Sequence, residues 1–170
     1  MPLTRTALEA TAALDGDPLA PPLAAYLELH VDEELGHDET LLDDLELLGL
    51  SRETVRERMP PLSVAELVGA QYYWILHHHP VAFLGYVGVM EGYPPTEELI
   101  EELVRRAGLP REAFQTFAEH GELDPGHRDH LDRTLDALPL NERHEQVIGA
   151  SAIATVALAT RALEERLAER

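Results

Sequence analysis

Residues 117–131 read FAEHGELDPGHRDHL, from Phe117 to Leu131. Within them His120, Asp124 and His127 form a His-x3-Asp-x2-His run. At about 3.6 residues per turn, steps of four and three return to the same face of a helix. The three side chains therefore make one column, two turns long. Beyond its ends the column is apolar: Ala113 and Phe117 precede it, and Leu131 and Leu135 follow. Polar ligands in the middle of an apolar stripe are costly to bury unless they are paired or coordinate a metal. Nine His and ten Asp in 170 residues also make such a spacing attainable by chance. A solvated face, or core histidines bonded to backbone, would give the same pattern. What decides between these readings is whether other helices supply matching ligands.

The length suits one domain with a full hydrophobic core, and 45% hydrophobic content argues against disorder. There is no cysteine, which removes disulfides, zinc–thiolate sites, iron–sulfur clusters and cysteine nucleophiles together. A reduced cytoplasm is the default compartment, and no charged-then-apolar leader opens the chain. The longest apolar run, Val147 to Thr160, reads as a buried core helix too short for a bilayer. The net charge is −19, with 13 Arg and no Lys. Such a chain repels phosphate backbones and anionic lipids, so neither nucleic acid nor membrane is expected as a partner.

In chain order, a short helix is expected at about 4–14, ahead of the turn Asp15-Gly16-Asp17-Pro18. Pro21 and Pro22 suit the first turn of a second helix over about 22–49, closed by Gly49. Its stripe is Leu23, Leu27, His30, Glu34, His37, Leu41, Leu45 and Leu48. Here too the stripe turns polar in its middle, and Glu34 and His37 form Glu-x2-His on one face. Glu33, Asp38, Glu39, Asp43 and Asp44 read as the solvated side. A helical turn over 51–61 follows, then Ser63 and Glu66 in a capping-box spacing. A long helix over about 64–92 should kink at Pro80. It carries His77, His78 and His79, which spread over about 200° and cannot all face one site. Glu91 stands near its end, one turn beyond Val87. Thr96 caps a helix to Ala107, stopped by Gly108. Pro110 opens the ligand helix, which Pro125 and Gly126 should kink or loosen. Asn141 caps a last helix over about 142–169. The fold class is all-α, a single compact domain over 1–170 with about five main helices plus short ones, and no strand periodicity.

Three long helices thus each bring ligands onto an inward stripe: Glu34 and His37, then Glu91, then His120, Asp124 and His127. Three carboxylates and three imidazoles are about what two metal ions need when open positions remain, and helical bundles build dinuclear carboxylate sites from facing helices. Nitrogen and oxygen donors without thiolate suit iron or manganese.

This pattern resembles the haem-oxygenase-like diiron oxidases, also known as iron-containing redox enzymes. The likeness runs from about residue 22 onward. It is carried by the His120, Asp124, His127 run, by HVDEELGHDETLLDDLELLG, by AQYYWILHHHPVAFLGYVGVMEG and by AGLP ahead of the ligand helix. The resemblance implies a haem-oxygenase-like bundle and a non-haem centre of two irons per chain, manganese being the alternative. It implies O2-dependent oxidation of a small organic substrate of the amine, amino acid or fatty acid class. It places the first-helix histidine on His37 and the central glutamate on Glu91. We assign His37, Glu91 and His120 to one iron, Asp124 and His127 to the other, and Glu34 as terminal or bridging. His30 stands where some relatives carry an acid, and is a further ligand, a nearby base or a filler. Tyr73, His77 and Tyr86 are expected to line the substrate pocket, and a homodimer is compatible with the family. The competing readings are a cofactorless or haem-related oxidoreductase on the same fold, and a non-catalytic metal-binding helical protein.

Overall fold

In the computed structural model, residues 2–168 are described, and side chains as far as 165. Positions 1, 169 and 170, within the expected domain span and at the expected end of the last helix, lie outside the described residues. Nine α-helices occupy the described part, with no strand: α1 Pro2–Ala12, α2 Ala20–Glu33, α3 His37–Leu47, α4 Arg52–Glu57, α5 Leu62–His77, α6 Phe83–Met90, α7 Glu97–Ala107, α8 Gln115–Ala137 and α9 Glu142–Ala168. Short 3₁₀ turns at Pro80–Ala82 and Arg111–Phe114 lead into α6 and α8.

The core is one buried cluster fed by α1, α2, α5, α6, α8 and α9. Leu19, Leu23 and Leu27 belong to it with Phe83, Leu84 and Val87, and Ala7 of α1 and Leu131 of α8 join them. The helix α9 runs along α5 and α6, and α8 lies against α2 and α3. A closed polar loop ties α5 to α9. The Gln71 amide donates to Thr155 Oγ1 at 3.1 Å, Ser151 donates to Gln71 Oε1 at 3.0 Å, and Thr155 donates to the Ser151 carbonyl at 2.8 Å. All three residues are buried, and every exchanged group is paired, so the cost of burying them is offset.

Five expectations are corrected. The helix expected over 22–49 is two helices, because Gly36 adopts φ +100 between α2 and α3. A side chain resists that conformation, and glycine accepts it. The helix expected over 64–92 is likewise two, since His78 leaves helical geometry and Pro80 opens the 3₁₀ turn. Ser63 caps nothing: α5 starts at Leu62 after Pro61, and Ser63 is buried, while Glu66 pairs with Arg161 at 2.6 Å. The apolar last helix buries only one face, through Val147, Ser151 and Thr155. Its other face exposes Ile153, Val156 and Leu163. By length and composition alone, Glu142–Glu165 is long and apolar enough to cross a membrane, so length does not exclude a span. By contrast α8 runs on as helix through Pro125 and Gly126, where loosening was expected.

Gly85 is the tightest helix contact. A Cβ there would stand 2.2 Å from the Ile148 carbonyl and 2.9 Å from the Ala152 nitrogen, both backbone atoms of α9 that cannot rotate away. Gly69, in α5, has nothing within 4 Å of the same position. Gly85→Ala is therefore expected to destabilise the protein by about 1–3 kcal/mol. Gly69→Ala should be neutral or stabilising by up to about 1 kcal/mol through helix propensity. Urea unfolding of both variants measures the contrast, and equal midpoints would contradict the packing.

Candidate metal centre

The two helix breaks decide where the ligands stand. His30 ends the inward face of α2, Glu34 follows its last turn, and His37 opens α3 just after Gly36. Glu91 is the C-terminal cap of α6. His120, Asp124 and His127 project from the middle of α8. The structure brings all of these to one place. The His37 Nδ1 lies 3.3 Å from Glu34 Oε2, and the His37 and His120 rings are 4.7 Å apart between centroids. His127 Nδ1 is 3.8 Å from Glu34 Oε1, 3.8 Å from Glu91 Oε2 and 3.6 Å from Asp124 Oδ1. His30 Nε2 is 3.6 Å from Glu91 Oε1.

Two triads of donor atoms are each gathered within 4.8 Å: Glu34 with His37 and His120, and His30 with Glu34 and Glu91. Glu34 belongs to both. This differs from the pairing drawn from the sequence, which set Glu91 beside His37 and His120. Glu91 instead groups with His30 and Glu34, and lies 3.8 Å from His127 of α8.

Five buried polar atoms in this cluster have no hydrogen-bond partner: His30 Nδ1, Glu34 Oε1, Glu91 Oε2, Asp124 Oδ1 and His127 Nδ1. Such groups are normally satisfied in a folded protein. Three carboxylates and two imidazoles left this way, with His37 and His120 beside them, fit cations between them, and their nitrogen and oxygen donors fit iron. The charges speak similarly. Burial, reinforced by Glu34 and Asp124, pushes the Glu91 carboxyl up to about 8. Burial raises Asp124 against the opposing pull of His120 and His127. Burial also lowers His30, against the pull of Glu34 and Glu33.

Surrounding groups prepare the donors. The His120 Nδ1–H donates to the Thr116 carbonyl at 2.7 Å, which leaves Nε2 as the free donor atom. Thr116 is itself held, since its N–H and that of Gln115 donate to Asp44 at 2.8 and 3.2 Å. Asp44 is buried and caps the start of α8, which corrects its reading as a solvated acid. Glu33, read the same way, accepts from His130 Nδ1 at 2.6 Å and ties α2 to α8. Gly121 admits the backbone at Pro95, where a Cβ would meet the carbonyl at 2.6 Å.

A cavity of about 470 Å³ opens beside the cluster. Leu3, Val68, Tyr72, Phe83, Tyr86 and Met90 wall it, and His30, Glu34, Glu91 and His120 face into it. Of the expected pocket residues only Tyr86 is in place. Tyr73 and His77 are exposed on the outer side of α5. The inward positions of that helix are Leu67, Gln71 and Ile75, so Tyr72, not Tyr73, turns toward the cavity. A step of four from Val68 to Tyr72 was the available signal. The contribution of α1 had none, because it depends on tertiary packing.

Fold and site together define an all-helical bundle built around a buried carboxylate–imidazole cluster. A crystal structure of a domain of unknown function from Shewanella denitrificans, with a heme oxygenase-like fold, superposes with TM-score 0.84 at 21% identity, over 99% of this chain and 72% of that one. At that identity the likeness speaks for the fold. Residues 17–161 match the iron-containing redox enzyme family, and the chain belongs to it. No curated protein matches the chain.

Glu91 provides a test of the cluster without metal. Its folded value of about 8 lies above the ordinary 4.5, so between these the folded chain holds a proton that the unfolded chain has released. Stability from this group is present below about 4.5 and is lost as pH rises through about 8. Melting of the metal-free protein should fall across that window, and Glu91→Gln should flatten much of the fall. An unchanged slope in the variant would count against a buried, crowded Glu91.

Proposed function

We propose that the protein is a non-haem diiron oxidase or oxygenase that uses O2 on a small organic substrate. The observation that carries this reading is the pair of donor triads sharing Glu34, with five buried donor atoms unpartnered around them. Glu34, His37 and His120 would hold one iron, and His30, Glu34 and Glu91 the other, with Asp124 and His127 completing the set. When bound, the irons supply O2 activation by electron transfer.

The residues themselves do the rest. Thr116 fixes the His120 ring through Nδ1 and leaves Nε2 for a metal. Tyr26 stacks on His30 with ring centroids 5.8 Å apart and holds its plane. Burial, with Glu91 and Glu34 nearby, raises the Tyr86 phenol, so its hydroxyl keeps its proton and serves as a donor to substrate. The apolar wall of Leu3, Val68, Phe83 and Met90 excludes water from an oxidisable carbon.

Anaerobic ferrous titration followed by optical and Mössbauer spectroscopy tests the reading. Two irons per chain are expected, with a transient visible band on exposure to O2. His120→Ala should bind one iron or none, and Glu34→Ala should lower occupancy at both positions. An iron count in His120→Ala equal to that of the parent would sink the assignment.

Two copies are proposed to pair through α9. Gly149, Ile153, Val156, Thr160 and Leu163 recur at steps of three and four, and Ile153 is 74% exposed. This stripe carries no charge in a chain of net charge −19, which disfavours an anionic membrane as its cover. Sedimentation should give a dimer that Ile153→Glu converts to monomer. A monomeric parent at tens of micromolar would refute the pairing.

A further inference from the structure

A second cavity, of about 620 Å³, lies away from the metal cluster, between the end of α5 and the first turns of α9. Its lining includes Trp74, His78, His79, Arg143 and His144, and no carboxylate. That is unexpected in a chain with 32 acidic and 13 basic side chains. Arg143 is exposed and forms no ion pair among the described residues, whereas Arg52 alone gathers Glu39, Asp43 and Glu46. A guanidinium left without a counterion amid so many acids, at the edge of an open cavity, has an anion still to meet.

The hydrogen bonds around the cavity fix which groups are donors. The Asn141 N–H donates to His144 Nδ1 at 3.3 Å, so in the neutral ring the proton sits on Nε2, which has no protein partner among the described residues. The Val81 N–H donates to His79 Nδ1 at 3.1 Å, so His79 Nε2 carries the hydrogen given to Asp17 Oδ2 at 3.2 Å. His79 is therefore fully used as a brace between the α1–α2 turn and the α5–α6 junction. It supports the His144 ring, 4.9 Å away between centroids. Gln146 is turned to Glu142, its Nε2 donating at 3.2 Å. The charged and hydrogen-donating groups that remain free are the Arg143 guanidinium and the His144 Nε2–H. His78 lies beside them, 5.0 Å from Trp74 between centroids. The half-buried indole of Trp74 and the side chains of Val147 and Ala150 give the cavity an apolar wall.

We propose that this cavity binds a small organic carboxylate, its anionic end at Arg143 and His144 and a flat apolar body against Trp74. The carboxylate's two oxygens match the forked donors of a guanidinium, and an aromatic or unsaturated body matches the indole face. An ammonium of the same shape would place its charge against the Arg143 guanidinium, with no carboxylate in the lining to offset the repulsion.

Trp74 is the only tryptophan, so its emission reads this cavity directly. The full chain is titrated at pH 7.5 with benzoate and with benzylamine, anaerobically, with and without ferrous iron. Benzoate is expected to change the emission saturably with a Kd below about 1 mM, equally with and without iron, and benzylamine to leave it unchanged. Arg143→Gln should weaken benzoate about tenfold or more. Arg143→Lys should restore part of that loss, and Arg58→Gln, at an unrelated exposed arginine, should behave as the parent. Matching far-UV circular dichroism and melting temperatures separate lost binding from lost folding. No saturable response to benzoate, an equal response to benzylamine, or undiminished binding in Arg143→Gln would overturn the proposal. A benzoate response that appears only with iron would also overturn it, since it would place the ligand at the metal cluster.

Discussion

Three carboxylates turned toward one another in a largely buried space repel, and each loses the solvation that would keep it ionised. Everything at the centre of this protein follows from holding Glu34, Glu91 and Asp124 in that position with the imidazoles of His30, His37, His120 and His127 among them. Without a cation the cluster can relieve itself only by taking up protons, which is the direction in which Glu91 and Asp124 are pushed. A divalent ion relieves it better, because it replaces mutual repulsion by attraction to a shared charge and fills the free valence of every orphaned donor. An apolar core of the same size would be more stable without these groups. Their retention is the signature of a site whose chemistry matters more than its stability.

Such a cluster needs ligands from three directions, and the helices are interrupted to provide them. Gly36 ends the run of α2 so that Glu34 and His37, which would lie one turn apart on a continuous helix, flank a corner instead. The break at His78 and Pro80 swings α6 away from the axis of α5, and Glu91 at its end arrives from the side of His30. The helix α8 stays whole, because its three candidate ligands already share a face. It is anchored instead: Asp44 holds the N–H groups of Gln115 and Thr116, and Thr116 holds His120. A carboxylate of α3 thereby sets the ring of a ligand on α8 through two successive hydrogen bonds. The Glu33–His130 pair ties α2 to α8 about three turns beyond His120.

This division explains what could be read from the chain. The column in α8 was legible because a helix repeats every 3.6 residues whatever it packs against, and the Thr96 cap and Gly108 stop of α7 are local chemistry that the structure retains. The break at Gly36 was not, since the leucine stripe continues past it with unaltered spacing. The Ser63 and Glu66 spacing misled because extended Pro61 already sets the start of α5, and the serine then turns into the core. Asp44 among its acidic neighbours looked solvated, and only the arrival of α8 from a distant part of the chain gives it N–H groups to bind. The choice of Tyr72 over Tyr73 as the cavity-lining residue is a rotation of one position, about 100° on the helix, and periodicity fixes the faces of a helix without saying which neighbour each one meets.

The acidity of the chain gains a meaning from where the charge is absent. Most acidic groups lie on exposed faces, several gathered around arginines, as at Arg52 and Arg56 on α4 and at Arg105 and Arg106 on α7. At a net charge of −19, unpaired surface acids repel both one another and incoming anions, so any region without them is a region where that repulsion has been relaxed. Two such regions stand out, and they differ in kind. The outer stripe of α9 is apolar, and desolvating it by contact is favourable for any uncharged surface that matches its shape. The cavity at Trp74 joins an apolar wall to an unpaired guanidinium, so an anion adds attraction there that an uncharged surface does not. The same sparse placing of arginine that leaves the metal cluster free of competing cations leaves Arg143 free for a ligand. Positive charge in this chain is scarce, and seven of the eleven arginines with described side chains sit beside a carboxylate; of the four that do not, Arg143 is the one at the Trp74 cavity.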